Sequence, residues 1–448
     1  MSVHPTTMEL EAFAQGNLPP QLFRKVARHL FRGCTPCNAL LLPHYQHLLP
    51  SCPSSEPQTY GTGVSNELLD RLFSAFLSYR RYLRREETRQ HRIAALLKAG
   101  GGLKALLERP EIPLRGLGTL KALLERSWAV RHEAPQEMLA LARYAVDVAR
   151  DLNPRWHDER EIADWQARTW GEYGNALRAR EDLDEAERAF GYAFGFLLQG
   201  TGDLRLKAKL YNLHASYLGS RRRFDLAFTA LDIVHSTYLE LGESHLAGRA
   251  FIIKAIYTFY DHHPEEAIEI NNAGMALIER QREPELFFTA IHNQLAFRVA
   301  CGQFREARNE VFGHLGEFKN LGSVNQLKIR WLQAQIDSGL RKWHSAEQGF
   351  MHAISGFEKE GMGFHAAFAS LELALVWMHQ DRYEETQQLV IKAYEAFVAL
   401  QIQEAFGAMM VLKEAFERQL GTIGLLEEVV EFLRRWYINQ NERFTPRG

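Results

Sequence analysis

The sequence predicts an all-α chain, a right-handed superhelical solenoid of antiparallel helix hairpins preceded by a small helical N-terminal domain. Three observations carry this. From Asp164 to Glu414 no strand-like alternation occurs, only amphipathic helical windows separated by short Gly, Asp, Pro or Arg punctuation. An anchor position then recurs at Ala186, Ala227, Ala267, Ala307, Ala346 and Thr386, with separations of 41, 40, 40, 39 and 40 residues. Twelve residues before each anchor stands Gly174, Ala215, Ala255, Leu295, Ala334 or Ala374, five of the six being small. Small residues at both positions let two antiparallel helices approach closely, and each hairpin leaves an apolar face that only its neighbour can bury.

Composition bounds what such a chain does. With 448 residues, 46% apolar and a net charge of −2, the sequence excludes a disordered chain, a polybasic tail and an acidic solvating protein. No apolar stretch is long enough for a membrane span, and Met1 to Gln15 carries acidic Glu9 and Glu11 rather than a signal sequence. A reducing cytoplasm is therefore the expected compartment. Cys34, Cys37 and Cys52 fall close together while Cys301 stands alone, which suits a metal site better than a disulfide framework.

Taken in order, residues 1–49 read as the small helical domain, 50–116 as a linker with basic connector helices, and 117–439 as the repeat array with its cap. In the first segment His4, His29, Cys34 and Cys37 supply the four N and S donors that a tetrahedral zinc ion needs. His44, His47 and Cys52 are reserve ligands. The connector contains a helical window from Asn66 to Ala99 in which Arg80, Arg81, Arg84, Arg85, Arg89 and Arg92 face only Glu86 and Glu87. That face is either a basic surface for an acidic partner or nucleic acid, or a solvated connector, the last being the simpler reading. Gly100 to Gly102 read as a break between helices. A divergent hairpin from Leu117 to Leu152, with Pro135 opening its second helix, starts the array. The segment Gln403 to Asn439 reads as a cap with Arg434, Arg435 and Trp436 facing outward.

Trp170, Gly174, Leu177, Ala186, Phe190 and Ala193 resemble the tetratricopeptide repeat's order of bulky, small, aromatic, Ala, aromatic, Ala, with Leu177 at the first aromatic position. In the third unit Asn271 and Gly274 stand where that family has an aromatic and Ala, and the period of about 40 exceeds its usual 34, so the helices are expected to be extended by about a turn. The N-terminal segment RHLFRGCTPC resembles the zinc-binding domain of bacterial anti-sigma factors, with four residues rather than three between His29 and Cys34. The resemblance implies one structural zinc on His4, His29, Cys34 and Cys37, or a vestigial fold with two buried thiols and His4 in a tail.

In such arrays the first helix of each hairpin forms the inner face. The outward positions there hold Arg168, Asn175 and Arg178, then Lys209, Asn212 and Ser216, then Lys328, Trp331 and Gln335, then Phe368, Leu371, Leu375 and Met378. The groove is expected to run from polar and basic, meeting carboxylates of a partner, to apolar. No phosphate loop, H-E-x-x-H, G-x-S-x-G or Gly-rich dinucleotide turn is present, so the sequence supports no enzyme. The expected function is a non-enzymatic scaffold for a protein or peptide, with no membrane partner and with nucleic acid disfavoured. The alternative is a soluble anti-sigma-like regulator whose N-terminal domain holds a sigma-like protein while the repeats sense a signal. Oligomeric state is left open.

Overall fold

The computed structural model describes residues 4–14, 18–31, 34–45, 66–109, 113–131, 133–318, 322–438 and 442–445. Among them every regular element is helical, and the chain divides into two units, residues 1–162 and 163–448.

In the first unit α1 (Thr7–Ala14), α2 (Pro20–Phe31) and α3 (Thr35–Tyr45) enclose a small core of Leu10, Val26, Cys37 and Leu41. Helix α1 starts where it does because Thr6 and Glu9 form a capping box. The Glu9 amide donates to Thr6 Oγ1 at 3.2 Å, and the Thr6 amide donates to Glu9 Oε2 at 2.7 Å. Residues 46–65, which contain the linker expected from Pro50 to Ser65, lie outside the described residues. The basic connector is one long helix, α4 (Asn66–Leu96), on which Arg81, Arg84, Arg85 and Arg92 are exposed. The expected break at the three glycines is a single π-helical turn, Leu97–Gly101, that leads into α5 (Gly102–Leu107) at a left-handed Gly102. The hairpin of α6 (Leu117–Ala129) and α7 (Pro135–Arg150) falls within this unit. The reason is local: a Cβ on Gly118 would stand 2.0 Å from the Glu86 carbonyl oxygen, so α6 lies directly on the α4 backbone. The buried Glu86 carboxylate accepts from the Gly118 amide at 2.7 Å. It thereby serves the free N–H end of α6.

Helix α8 (Glu159–Arg178) crosses the division and opens the array. There follow α9 (Leu183–Gln199), α10 (Leu204–Ser220), α11 (Phe224–Glu240), α12 (Ser244–Tyr260), α13 (Pro264–Met275) and α14 (Pro284–Ala300). Next come α15 (Phe304–Gly313), the one-turn α16 (Leu315–Phe318), α17 (Ser323–Gly339), α18 (Trp343–Lys359), α19 (Gly363–Met378) and α20 (Tyr383–Ala399). The last pair is α21 (Gln403–Glu417) and α22 (Ile423–Ile438). All six anchors are 0% exposed, which is the packing role their spacing predicts. Thr386 fits the Ala slot because its hydroxyl donates to the Arg382 carbonyl at 2.8 Å. The third unit departs from the repeat pattern for a packing reason. Gly274 lets α13 approach α12 so closely that a Cβ there would be 2.9 Å from the Gly248 oxygen. Asn271, fully buried, donates to the Ala290 carbonyl at 2.9 Å and to Gln294 Oε1 at 2.8 Å.

One corner geometry recurs between the helices of each hairpin. Five residues before every anchor stands a left-handed residue: Glu181, Arg222, His262, Gly302, Arg341 or Asp381, with φ from 57° to 71°. The next amide reaches back to the carbonyl five residues before it, as in Arg223 to Leu218 at 2.9 Å and Lys342 to Asp337 at 2.8 Å. This six-to-one bond satisfies a helix-end carbonyl and closes the turn.

Candidate functional site

Two candidate sites emerge, one in each unit. In the first, the end of α2 and the first turn of α3 bring His29, Cys34 and Cys37 together, and the segment before α1 adds His4. His4 Nδ1 lies 3.2 Å from His29 Nε2, 3.3 Å from Cys34 Sγ and 3.5 Å from Cys37 Sγ. His29 Nε2 lies 3.3 Å from Cys37 Sγ, and all four ligand atoms are within 4.8 Å of one another. A zinc tetrahedron with bonds of about 2.0–2.1 Å to N and about 2.3 Å to S has edges of about 3.3–3.8 Å. The donor set and its edges therefore fit a tetrahedral ion, and the extra residue before Cys34 does not carry His29 away. Burial, and secondly the Cys34 thiol beside it, raise the Cys37 thiol above its ordinary value. A divalent cation supplies the charge that ionises such a pair of thiols. Of the reserve ligands, His47 and Cys52 lie outside the described residues, as does the side chain of His44.

The second site is the inner face of the array. At its polar end the expected partner-binding groups are engaged within the chain. Lys209 pairs with the buried carboxylate of Glu172 at 2.5 Å. Arg178 donates to Asn175 Oδ1 at 3.0 Å, and burial holds its guanidinium below its ordinary pKa. Arg168 lies over the Trp165 ring at 5.4 Å, while Asn212 is partly buried. At the other end the structure corrects the sequence reading. Leu371, 0% exposed, does not face an open groove, and Phe368, 3% exposed, is buried beside it and borders only the cavity described below. They sit in one core with Val429, Val430, Leu433 and Trp436 of α22, and Leu375 packs against that core. The last helix folds over the inner face because Leu426, Val429, Val430, Phe432, Leu433 and Trp436 give α22 one broad apolar face to bury. Trp436 is accordingly buried rather than outward. Arg434 binds Glu372, a carboxylate only 3% exposed that also accepts from Trp331 Nε1 at 2.5 Å and Gln335 Nε2 at 2.9 Å.

Between these ends the inner face opens. A cavity of about 460 Å³ is lined by Ile256, Phe259, His292, Ala296, Trp331 and Phe368, with Gln335, Asn293 and Arg434 among its polar groups. Lys328 lies near it and, after burial, is the second cause that lowers the His292 imidazole to about 4, so His292 is neutral at physiological pH. The sequence reading included Trp331, Gln335 and Phe368 but passed over the third and fourth repeats. The signal was present: the offsets that give Asn212 and Ser216 around Ala215 give His292 and Ala296 around Leu295, and Ile256 after Ala255.

No family model and no curated protein matches this chain. Among solved structures, the crystal structure of a Rap protein complexed with Competence and Sporulation Factor is similar. Its TM-score is 0.50 at 10% identity, over 71% of this chain and 87% of that one. The structure of NprR in complex with its cognate peptide NprX aligns with a TM-score of 0.42 at 13% identity, over 72% and 85% of the two chains. The fold is a tetratricopeptide-like helical solenoid. No helix among the described residues is long and apolar enough to cross a membrane.

Proposed function

We propose that the chain is a non-enzymatic scaffold that binds a short segment of a protein or a peptide on the inner face of its array. The observation that carries this is the cavity of about 460 Å³, walled by inner positions of successive first helices from Ile256 to Phe368 and by Arg434, Arg435 and Tyr437 of α22. Concave, mostly apolar surfaces with a few fixed polar groups are where such arrays and ligand sites place recognition. The Rap structure that shares the fold holds a bound factor, which agrees with this reading. The binding residues are then Trp331, Gln335 and Phe368 with Ile256, His292 and Ala296, while Arg168, Asn175, Lys209 and Asn212 shape the far end. Selection of a random displayed peptide library on the full chain tests the idea. Enriched sequences should bind the wild type and lose binding to Ala296→Trp, which fills the cavity at a partly exposed position. Enriched sequences indifferent to that substitution would place recognition elsewhere.

The four-donor cluster supports a second module. His4, His29, Cys34 and Cys37 hold one structural zinc in this reading, and the three helices around it serve as a separate docking domain. A sigma-like protein is the partner that the resemblance implies. Co-purification of an RNA-polymerase subunit that is lost on Cys34→Ser with Cys37→Ser is the expected result, and retention through that change would remove this second reading.

A further inference from the structure

The inner face holds two cavities, not one, and they differ in chemistry. The larger, of about 460 Å³, is walled mainly by aromatic and aliphatic side chains, with Glu431, Arg434 and Arg435 also in its lining. The smaller, of about 290 Å³, adjoins it through Val299, Gln335, Glu431 and Arg434. Three carboxylates line the smaller cavity, Glu372, Glu427 and Glu431, against one guanidinium, Arg434. Arg434 is committed to Glu372, whose oxygens also receive Trp331 and Gln335. Glu427 and Glu431, one helical turn apart on α22, have no hydrogen bond or ion pair among the described residues. Trp343 and His379, stacked at 4.8 Å, complete the wall. The wider field has the same sign: residues 163–448 carry 31 Lys and Arg against 38 Asp and Glu, whereas residues 1–162 carry 22 against 17.

We propose that the occupant is a peptide segment that places a large apolar side chain in the larger cavity and an Arg or Lys side chain in the smaller one. This rests on the groove reading above and adds the partner's charge to it. An acidic segment, which the basic residues of the polar end suggested, meets the wrong sign here, because Lys209 and Arg434 are already neutralised by Glu172 and Glu372. The added cation pairs with Glu427 and Glu431 over an aromatic wall that favours it further. An extended segment turns alternate residues to one face, so the apolar and basic residues stand two apart. Net negative charge around the groove also speeds encounter with such a segment.

The test uses the full chain and labelled, end-blocked pentapeptides of sequence Ser-Phe-Gly-Arg-Ser, with Gln or Glu replacing Arg and Ala replacing Phe. Fluorescence anisotropy should rank Arg above Gln above Glu, with about tenfold or more between the extremes, or about 1.4 kcal/mol. The Ala peptide should lose binding to every form of the protein. Glu427→Gln with Glu431→Gln should abolish the preference for Arg over Gln while leaving the requirement for Phe. Salt should weaken the Arg peptide and not the Gln peptide. Glu427 and Glu431 are both exposed, so loss of fold does not confound the substitutions. A Glu peptide that binds as tightly as the Arg peptide, an Arg preference that survives the double substitution, or no binding by any pentapeptide up to about 1 mM overturns the proposal. If library peptides sensitive to Ala296→Trp lack basic residues, this inference fails and the groove reading stands. If no peptide is sensitive to that substitution, the groove reading itself fails.

Discussion

Leu371→Ala gives a sharp measure of how the last helix is held. Leu371 on α19 and Leu433 on α22 are both 0% exposed and belong to one core with Val429, Val430 and Trp436. Truncating a fully buried Leu removes transfer energy and leaves a cavity, at a cost of about 2–5 kcal/mol. Were Leu371 an exposed groove residue, the cost would be within about 0.5 kcal/mol. A melting curve is a poor judge, since a long array is stabilised by neighbour contacts and does not unfold in one step. Amide hydrogen exchange resolved by segment reads the contact directly. A loss of about 2–5 kcal/mol that is local to the cap speeds exchange in α22 about thirty- to several-thousand-fold. Leu433→Ala should act alike, and the two together should cost less than their sum because they share neighbours. Exchange in α22 that changes less than about threefold in Leu371→Ala, under conditions where local opening controls it, would refute the packing of α22 on the inner face.

Three further outcomes follow from the structure. Protein purified from zinc-containing medium should carry about one zinc per chain, and chelation should unfold residues 4–45 while the array keeps its exchange protection, because so small a core has little else to hold it; a metal-free protein protected in α2 and α3 would show that the fold needs no ion. Burial, with Arg223 near one and Lys328 near the other, lowers His214 and His292 to about 4 from an ordinary value of 6.5. The unfolded chain therefore binds more protons between those values, so array stability falls as pH falls through that window and is level above it. NMR should find both rings neutral at pH 5, and titration of either near 6.5 would contradict their burial. Ala255→Trp, at a position 0% exposed, should cost about 1–3 kcal/mol by overpacking; unchanged exchange in α12 and α13 would mean the assigned contact is absent.

The repeat was legible because its signal is periodic and each copy confirms the others. Ala227 alone says little, but six anchors at one spacing define six buried contacts. One helix start was legible from local chemistry, with Pro135 at a first helical position. The fate of the inner face was not. Phe368 and Leu371 have the right offset for groove residues, and nothing local in the sequence tells whether an apolar groove is open or filled by another part of the chain. That depends on α22, some sixty residues away, whose apolar residues read as an ordinary cap. The same limit applies to charge: Lys209 and Arg434 look available in sequence, while Glu172 and Glu372, which neutralise them, become neighbours only when helices pack. The metal cluster lies between these cases, since Cys34 and Cys37 are close in sequence but His4 is brought to them by the fold.

The left-handed corners divide the array into rigid and adjustable parts. From the small residue through the corner to the anchor the count is always twelve, and the left-handed residue is always seven steps in. From each anchor to the next small residue the count drifts through 29, 28, 28, 27 and 28. Length variation is thus absorbed in the passages from one hairpin to the next, where Gly202, Gly242 and Gly361 have open space where a side chain would go. An epitope or fluorescent tag spliced in at Gly202 or Gly361 should leave every interhelical contact in register. The same insert at Arg222 or Arg341 would drive apart the two small residues that the corner holds together, so the array offers permissive entry points on one edge and closed ones on the other.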